Sequence, residues 1–299
     1  MKTIILNSTN IVAGTNNSTF LYTFPTGGIE FFDDFVAVQQ ISMYYSNFNI
    51  STSLNNYKFS YTWIDGTVVN ISIPNSNMSV SQINEYLQYI MIQNTHYLLT
   101  AGGDYVYLLE MVINQARYAV QVNSYLISTT IATSYGWTLP AGATWVLPTN
   151  SILPYLTILP YTDNKFGELI GYSAGQYPTG VIAGVPPAQT QTPSYATSQS
   201  FLSTTAPNIN PQYSYLCLCS LVNNKAVIPS QLLYTLTPTN VEFGALINQQ
   251  INDLAWNKIA NGFYNSFTFT FRDQTGNAMA FNDPNTVIIL VIQNRNEFL

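Results

Sequence analysis

Very few residues of this chain could do chemistry. His96 is the one histidine, and Cys217 and Cys219 are the only cysteines. A histidine-based triad needs a nucleophile and an acid beside the imidazole. Nothing near His96 supplies that pattern, and no Gly-x-Ser-x-Gly elbow occurs. His96 is therefore read as a polar residue at a helix end. Two cysteines and one histidine cannot complete a tetrahedral zinc set by themselves. Asp33 and Asp34 are adjacent carboxylates that could help hold a cation, and the plainer reading is a pair of solvated loop acids. The Gly-rich run 164–178 (Asn-Lys-Phe-Gly-Glu-Leu-Ile-Gly-Tyr-Ser-Ala-Gly-Gln-Tyr-Pro) lacks the Gly-Lys-Ser/Thr of a phosphate loop. Residues 271–276 and 282–285 have turn chemistry rather than the pattern of a ligand loop. Glycoside hydrolysis needs only two carboxylates, and the fourteen acids are scattered. No catalytic, cofactor-binding or metal-ligating residue is assigned, no cofactor is expected, and the chain is not read as an enzyme.

The two cysteines lie in the stretch 210–224, Asn-Pro-Gln-Tyr-Ser-Tyr-Leu-Cys-Leu-Cys-Ser-Leu-Val-Asn-Asn. Pro211 stops what precedes it, and apolar groups fall on both faces. This predicts a strand covered on both sides, inside a sheet. Its cysteines would have Cα atoms about 6.6 Å apart, at the limit for a disulfide. Buried free thiols are expected, in keeping with a reducing compartment.

The elements around these residues are mostly strands. Strands are predicted at 19–24, 35–45, 105–113, 117–126, 232–236, 263–271 and 287–292. Over 35–45 the odd residues Phe35, Ala37, Ile41, Met43 and Tyr45 make the more apolar face. The clearest hairpin is 56–73. A two-residue turn would set its two apolar rows on opposite faces. A three-residue loop, Ile64-Asp65-Gly66, pairs Tyr61 with Val69 and Phe59 with Ile71 and puts Gly66 where positive φ is needed. Helical periods occur at 79–94, with Ser79 and Gln82 as a capping box, and at 247–259. Residues 1–30 read as an extended arm. Residues 140–211, punctuated by prolines, read as a loop-rich excursion or insertion within a domain spanning 31–299, and 186–205 as a mobile or interface-ordered part of it. With no βαβ alternation, the pattern is all-β: a single jelly-roll β sandwich with short helices in inter-strand connections.

Composition narrows the function classes. Charged residues are 7% of the chain, against about 25% in an ordinary soluble domain. The surface must be covered by neutral polar and Tyr side chains, which suits flanks buried against neighbouring subunits. A codon bias toward Asn, Ile and Tyr is the other source of such a composition. Net charge is −6 and no basic run exists, so a nucleic-acid footprint is missing. No apolar run has the length of a secretion signal or a membrane span. Without a signal, the sequons at Asn7, Asn17, Asn49, Asn70 and Asn77 are chance products of composition.

Several segments in order resemble the minor capsid, or penton, protein of virophages and of Polinton/Maverick-type elements. They are Asn-Lys-Phe-Gly-Glu-Leu-Ile-Gly-Tyr at 164–172, Gly-Gln-Tyr-Pro at 175–178 and the stretch 209–224. Leu-Leu-Tyr-Thr-Leu at 232–236, Glu-Phe-Gly at 242–244 and Trp-Asn-Lys-Ile-Ala-Asn-Gly at 256–262 follow. Phe-Arg-Asp at 271–273 and Asn-Asp-Pro at 282–284 complete the set. With 35–49 and 83–92 the resemblance covers most of 30–295. Cys217 and Cys219 depart from it, and residues 1–30 match weakly. The resemblance implies a structural virion protein: a homopentamer of jelly-roll subunits at the five-fold vertices of an icosahedral capsid. It also implies contact with double jelly-roll major capsid proteins and assembly in the cytoplasm of the infected cell. The competing readings are a glycan- or receptor-binding β-sandwich module, for which exposed Tyr and Trp are suitable platforms, and a hydrolase on a jelly-roll frame.

Overall fold

The structure, a computed structural model, describes residues 1–25, 27–180, 191 and 194–294. Its contacts divide into two compact units, Met1–Phe48 with Gln212–Leu299, and Asn49–Pro211. The first unit opens with β1 (Lys2–Leu6), β2 (Thr19–Thr23), β3 (Ile29–Phe31) and β4 (Asp34–Tyr44). The second unit supplies β5 (Lys58–Thr62), β6 (Val68–Ser72), helix α1 (Val80–Gln93), β7 (Leu98–Leu99), β8 (Tyr105–Val106), β9 (Leu109–Asn114) and β10 (Ala119–Ser124). It continues with helix α2 (Thr129–Tyr135), β11 (Tyr155–Ile158), helix α3 (Phe166–Ile170), β12 (Gly175–Tyr177) and β13 (Gln199–Leu202). The chain then re-enters the first unit with β14 (Tyr215–Cys219), β15 (Leu232–Leu236), β16 (Leu246–Gln250) and β17 (Asn257–Lys258). It ends with β18 (Gly262–Tyr264), β19 (Ser266–Asp273) and β20 (Thr286–Asn294).

The first unit is a jelly roll. Its main strands form two antiparallel sheets, β1-β20-β4-β16 and β15-β14-β19-β2, with β17 also pairing β4. Counted along the chain, these eight strands run first-eighth-third-sixth in one sheet and fifth-fourth-seventh-second in the other. Every step changes sheet except the hairpin between the fourth and fifth, which is jelly-roll connectivity. The whole second unit is inserted between the third and fourth strands, β4 and β14.

Alternation builds the interior. β19 turns Phe267, Phe269 and Phe271 inward and leaves Thr268 and Thr270 half-buried. From the opposing sheet come Ile4, Leu6, Val36, Val38, Ile288 and Leu290, all in the same core cluster. Each inward ring contributes about 1.5–3 kcal/mol by burial, and the rings meet edge to face. Phe271 lies 5.3 Å from Phe269, 5.4 Å from Phe281 and 6.2 Å from Phe20. The stretch around the cysteines is an interior strand, β14, flanked by β15 and β19. Tyr215, Cys217 and Cys219 point into the sandwich, and both thiols are free.

Three expectations change here. Residues 1–30 are not an arm: β1 extends one sheet along β20, β2 extends the other along β19, and Ile4, Leu6 and Phe20 are buried. Their alternation is weak in sequence because each is an outer strand with Asn, Ser and Thr around it, and their partners come from the far end of the chain. Over 35–45 the inward residues are Val36, Val38, Ile41 and Met43. Leu290 pairs Val38 and Ile289 pairs Gln40, so Gln39 is a bulge that switches parity. Residues 247–259 hold two strands, not a helix. Ile247 pairs Met43 on the free edge of β4 and is buried, so sheet pairing overrides the local helical spacing.

The second unit has its own core. Its sheets are β12-β11-β5-β6 and β13-β10-β9, beside a short β7-β8 ladder. The β5–β6 hairpin has the expected register, Phe59 with Ile71 and Tyr61 with Val69, and Gly66 sits at φ 89°. Helix α1 starts at Ser79, whose Oγ accepts from the Gln82 N–H while the Gln82 side chain accepts from the Ser79 N–H. Its face of Ile83, Leu87 and Met91 is buried and packs on β9. The insertion therefore begins at residue 49 rather than 140. β11 pairs β5, and β13 pairs β10, so the proline-rich part closes sheets that the earlier hairpins began. Of the segment 186–205, residues 186–190, 192 and 193 lie outside the described residues.

Candidate functional site

The residues that could do chemistry do not converge. His96 follows helix α1, with its N–H donating to Met91 O at 2.8 Å, and is buried. Its imidazole stacks on Trp63 with centroids 4.9 Å apart, and Tyr61 meets it edge-on. A hydrogen bond of 2.9 Å links Tyr61 Oη and His96 Nδ1. Burial pulls the His96 pKa down to about 4, against a smaller upward pull from Asp65. Asp65 itself sits in the hairpin turn, accepting from the Thr67 N–H and hydroxyl. The neutral imidazole is thus part of an aromatic core rather than a polar helix-end group.

Asp33 and Asp34 point apart instead of sharing solvent. Asp33 Oδ1 pairs with Lys258 Nζ at 2.6 Å. Asp34 is buried, accepting from the Phe32 N–H at 3.0 Å and the Asn294 side chain at 3.3 Å. Burial raises the thiol pKa of Cys217, and pushes that of Cys219 up to about 12. Asp273 closes the 271–276 turn, accepting from the N–H groups of Thr275 and Asn277, each at 2.9 Å, and from the Thr275 hydroxyl at 2.7 Å. Burial raises its pKa, but bonds from Thr275, Asn277 and Gln212 outweigh that and lower it overall. The Gly-rich run forms helix α3 and its exit. Gly171 has φ 79°, and a Cβ there would lie 2.3 Å from Thr205 O. Gly167 and Gly171 serve close backbone packing.

What the fold does assemble is an aromatic cleft in the second unit, of about 580 Å³. Helix α2 is capped at its start by the Ser128 side chain and at its end by Gly136, at φ 67°. That reversal places Tyr135 and Trp137 face to face, with centroids 4.8 Å apart and an 18° tilt. Tyr107 and Tyr125 stand on other walls, with Thr197 and Ser198 supplying hydroxyls. The Tyr125 hydroxyl donates to Glu110 Oε1. Burial, then this bond and the nearby negative charge, push the Tyr125 pKa up to about 12. Glu110, Asn123 and Ser200 are cross-strand neighbours on β9, β10 and β13. Asn123 Nδ2 donates to Glu110 at 2.9 Å, and Asn123 Oδ1 accepts from Ser200 Oγ at 2.7 Å and Gln121 Nε2 at 2.8 Å. Sequence reading missed this site because its rings come from three separate segments. The local signal was Tyr135-Gly136-Trp137 after a Ser-capped turn of helix.

No protein-family model and no curated protein matches the chain. Among solved structures, the chain is similar to the mavirus penton protein, at 9% identity and a TM-score of 0.42, covering 97% of this chain and 96% of that one. It is also similar to a chain of the Sputnik virophage structure determined by cryo-electron microscopy, at 12% identity and a TM-score of 0.36, covering 100% of this chain and 99% of the other. At these identities and scores the jelly-roll assignment rests on the strand order of the first unit itself.

Proposed function

We propose that the chain is a structural virion protein: a penton subunit whose jelly-roll unit forms homopentamers at the five-fold vertices of an icosahedral capsid, beside double jelly-roll major capsid proteins. The observation that carries this reading is the eight-strand jelly-roll order with an interior filled by Phe20, Phe269, Phe271 and Tyr215. A sandwich packed this way serves as a building block, since its interior is occupied by its own rings. The ordered motifs that carry the penton resemblance support the same reading, and so does the charge-poor composition.

The outer face of the β1-β20-β4-β16 sheet is chemically suited to a second copy. Ile5, Val287, Tyr44 and Leu246 are exposed on it. Registers place Gln40, Ser42 and Asn248 among them, so these face residues carry no charge. Interface cores are depleted in charge in the same way, and a ring of five is a heterologous contact that closes. The reading includes a virion location and assembly in the cytoplasm of the infected cell. No described helix is long and apolar enough to cross a membrane.

Co-expression with a double jelly-roll major capsid protein, followed by sedimentation and negative-stain imaging, tests the proposal. The expected result is the chain at five-fold vertices of closed shells. A chain that stays out of shells, alone or in the mixture, overturns it. A Tyr44→Asp/Leu246→Asp variant should fold and fail to incorporate.

A further inference from the structure

We propose that the aromatic cleft of the inserted unit binds a neutral glycan. This inference is independent of the vertex reading, because it rests on the second unit alone. Three observations carry it. The first is the platform. Tyr135 and Trp137 are stacked by the Gly136 reversal, and Tyr135 is 66% exposed. A flat, rigid pair of rings open to water matches the C–H face of a pyranose, which is apolar on one side and hydrated at its edge. Tyr and Trp offer such contact at small conformational cost, having two side-chain torsions each.

The second is the polar row. Sugar hydroxyls are recognised by planar amides and carboxylates held in fixed orientation. Glu110, Asn123 and Ser200 form such a row across three strands. Tyr125 belongs to both features, lining the cleft and donating to Glu110. Because the row is already hydrogen-bonded internally, its free valences are aimed before any ligand arrives.

The third is charge. Among the described residues no charged side chain lines the cleft, and the carboxylate of Glu110 is held by the hydroxyl of the lining Tyr125. A phosphorylated or sulfated ligand would meet repulsion with no compensating cation. A neutral ligand rich in hydroxyl groups does not. The volume of about 580 Å³ falls in the range of small-molecule sites.

The test uses the full chain and named probes: chitotetraose, maltotetraose and mannotetraose as neutral oligosaccharides, and a chondroitin sulfate tetrasaccharide as the anionic one. Saturation-transfer NMR reports which sugar protons touch the protein, and Trp fluorescence reports ring stacking. At least one neutral probe should show transfer to its ring C–H protons at about 10 mM or below. Tyr135→Ala, an exposed position, should weaken that binding roughly fivefold to tenfold. Glu110→Gln should weaken it while retaining transfer to the stacked face. The proposal is overturned if no neutral probe binds, if only the sulfated probe binds, or if both variants bind as tightly as the parent chain.

Discussion

Acidification should destabilise the inserted unit through a single imidazole. His96 is buried against Trp63 and Tyr61, so its charged form lacks water and gains only a distant pull from Asp65. In the unfolded chain it takes a proton near 6.5, and in the fold only near 4. Between those values the unfolded state binds a proton that the folded state refuses, so stability falls as the pH drops from 6.5 to 4. Below about 4 both states are protonated, and this residue costs nothing further. The gap, at about 1.4 kcal/mol per pH unit, sets a ceiling of about 3 kcal/mol. The perturbation is His96→Phe, which keeps a ring on Trp63 and removes the titration. It also strips the Tyr61 hydroxyl of its partner, at about 1–3 kcal/mol, so Tyr61→Phe/His96→Phe is the cleaner comparison. As the chain has one histidine, its imidazole carbon-bound protons give a single titration curve by NMR. Urea unfolding at pH 7.5, 5.5 and 4, followed by the fluorescence of the four tryptophans, of which Trp63, Trp137 and Trp145 belong to the inserted unit, gives the stability. Subtracting the double variant from the parent cancels the carboxylates, which titrate in both. An imidazole titrating near 6.5, or equal pH slopes in the two proteins, would refute the reasoning.

The jelly-roll unit should lose about 1–3 kcal/mol in Asp273→Asn, because the amide turns a donor toward the Gln212 and Asn277 side chains. Since the Asp273 pKa is lowered in the fold, its contribution is full above the ordinary carboxylate range and is lost as the pH falls through the lower folded value. Denaturant midpoints of parent and variant should therefore converge in strong acid. Gly171→Ala should cost at least about 1 kcal/mol more than Gly142→Ala. Both have positive φ, but a Cβ meets Thr205 O only at Gly171, and thermal melts compare the two directly. Cys217 and Cys219 should resist a thiol-specific reagent at pH 8 in the native chain and both react in urea, since they are fully buried and their pKa values are raised. Rapid labelling of the native protein would contradict the placement of β14 inside the sandwich.

Local features were legible wherever the chain solves its own problem within a few residues. The β5–β6 register follows from two apolar rows that must share a face, which leaves only a loop of Ile64-Asp65-Gly66. The start of α1 follows from Ser79 and Gln82 satisfying each other's N–H groups. The inward face of β19 follows from Phe-Thr alternation. Tertiary structure decided everything that depends on a distant partner. Ile247 became a strand residue because β4 offered it an edge. The bulge at Gln39 reversed the parity of β4 because β20 runs past it one residue short. Residues 49–211 became a separate unit because their strands pair with each other. The cleft exists only once Tyr107, Tyr125, Tyr135 and Trp137 are gathered. Periodicity reports which face of a strand is apolar. It carries no information about which strand will lie alongside, and the free energy that selects the partner comes from burial shared between segments far apart in the chain.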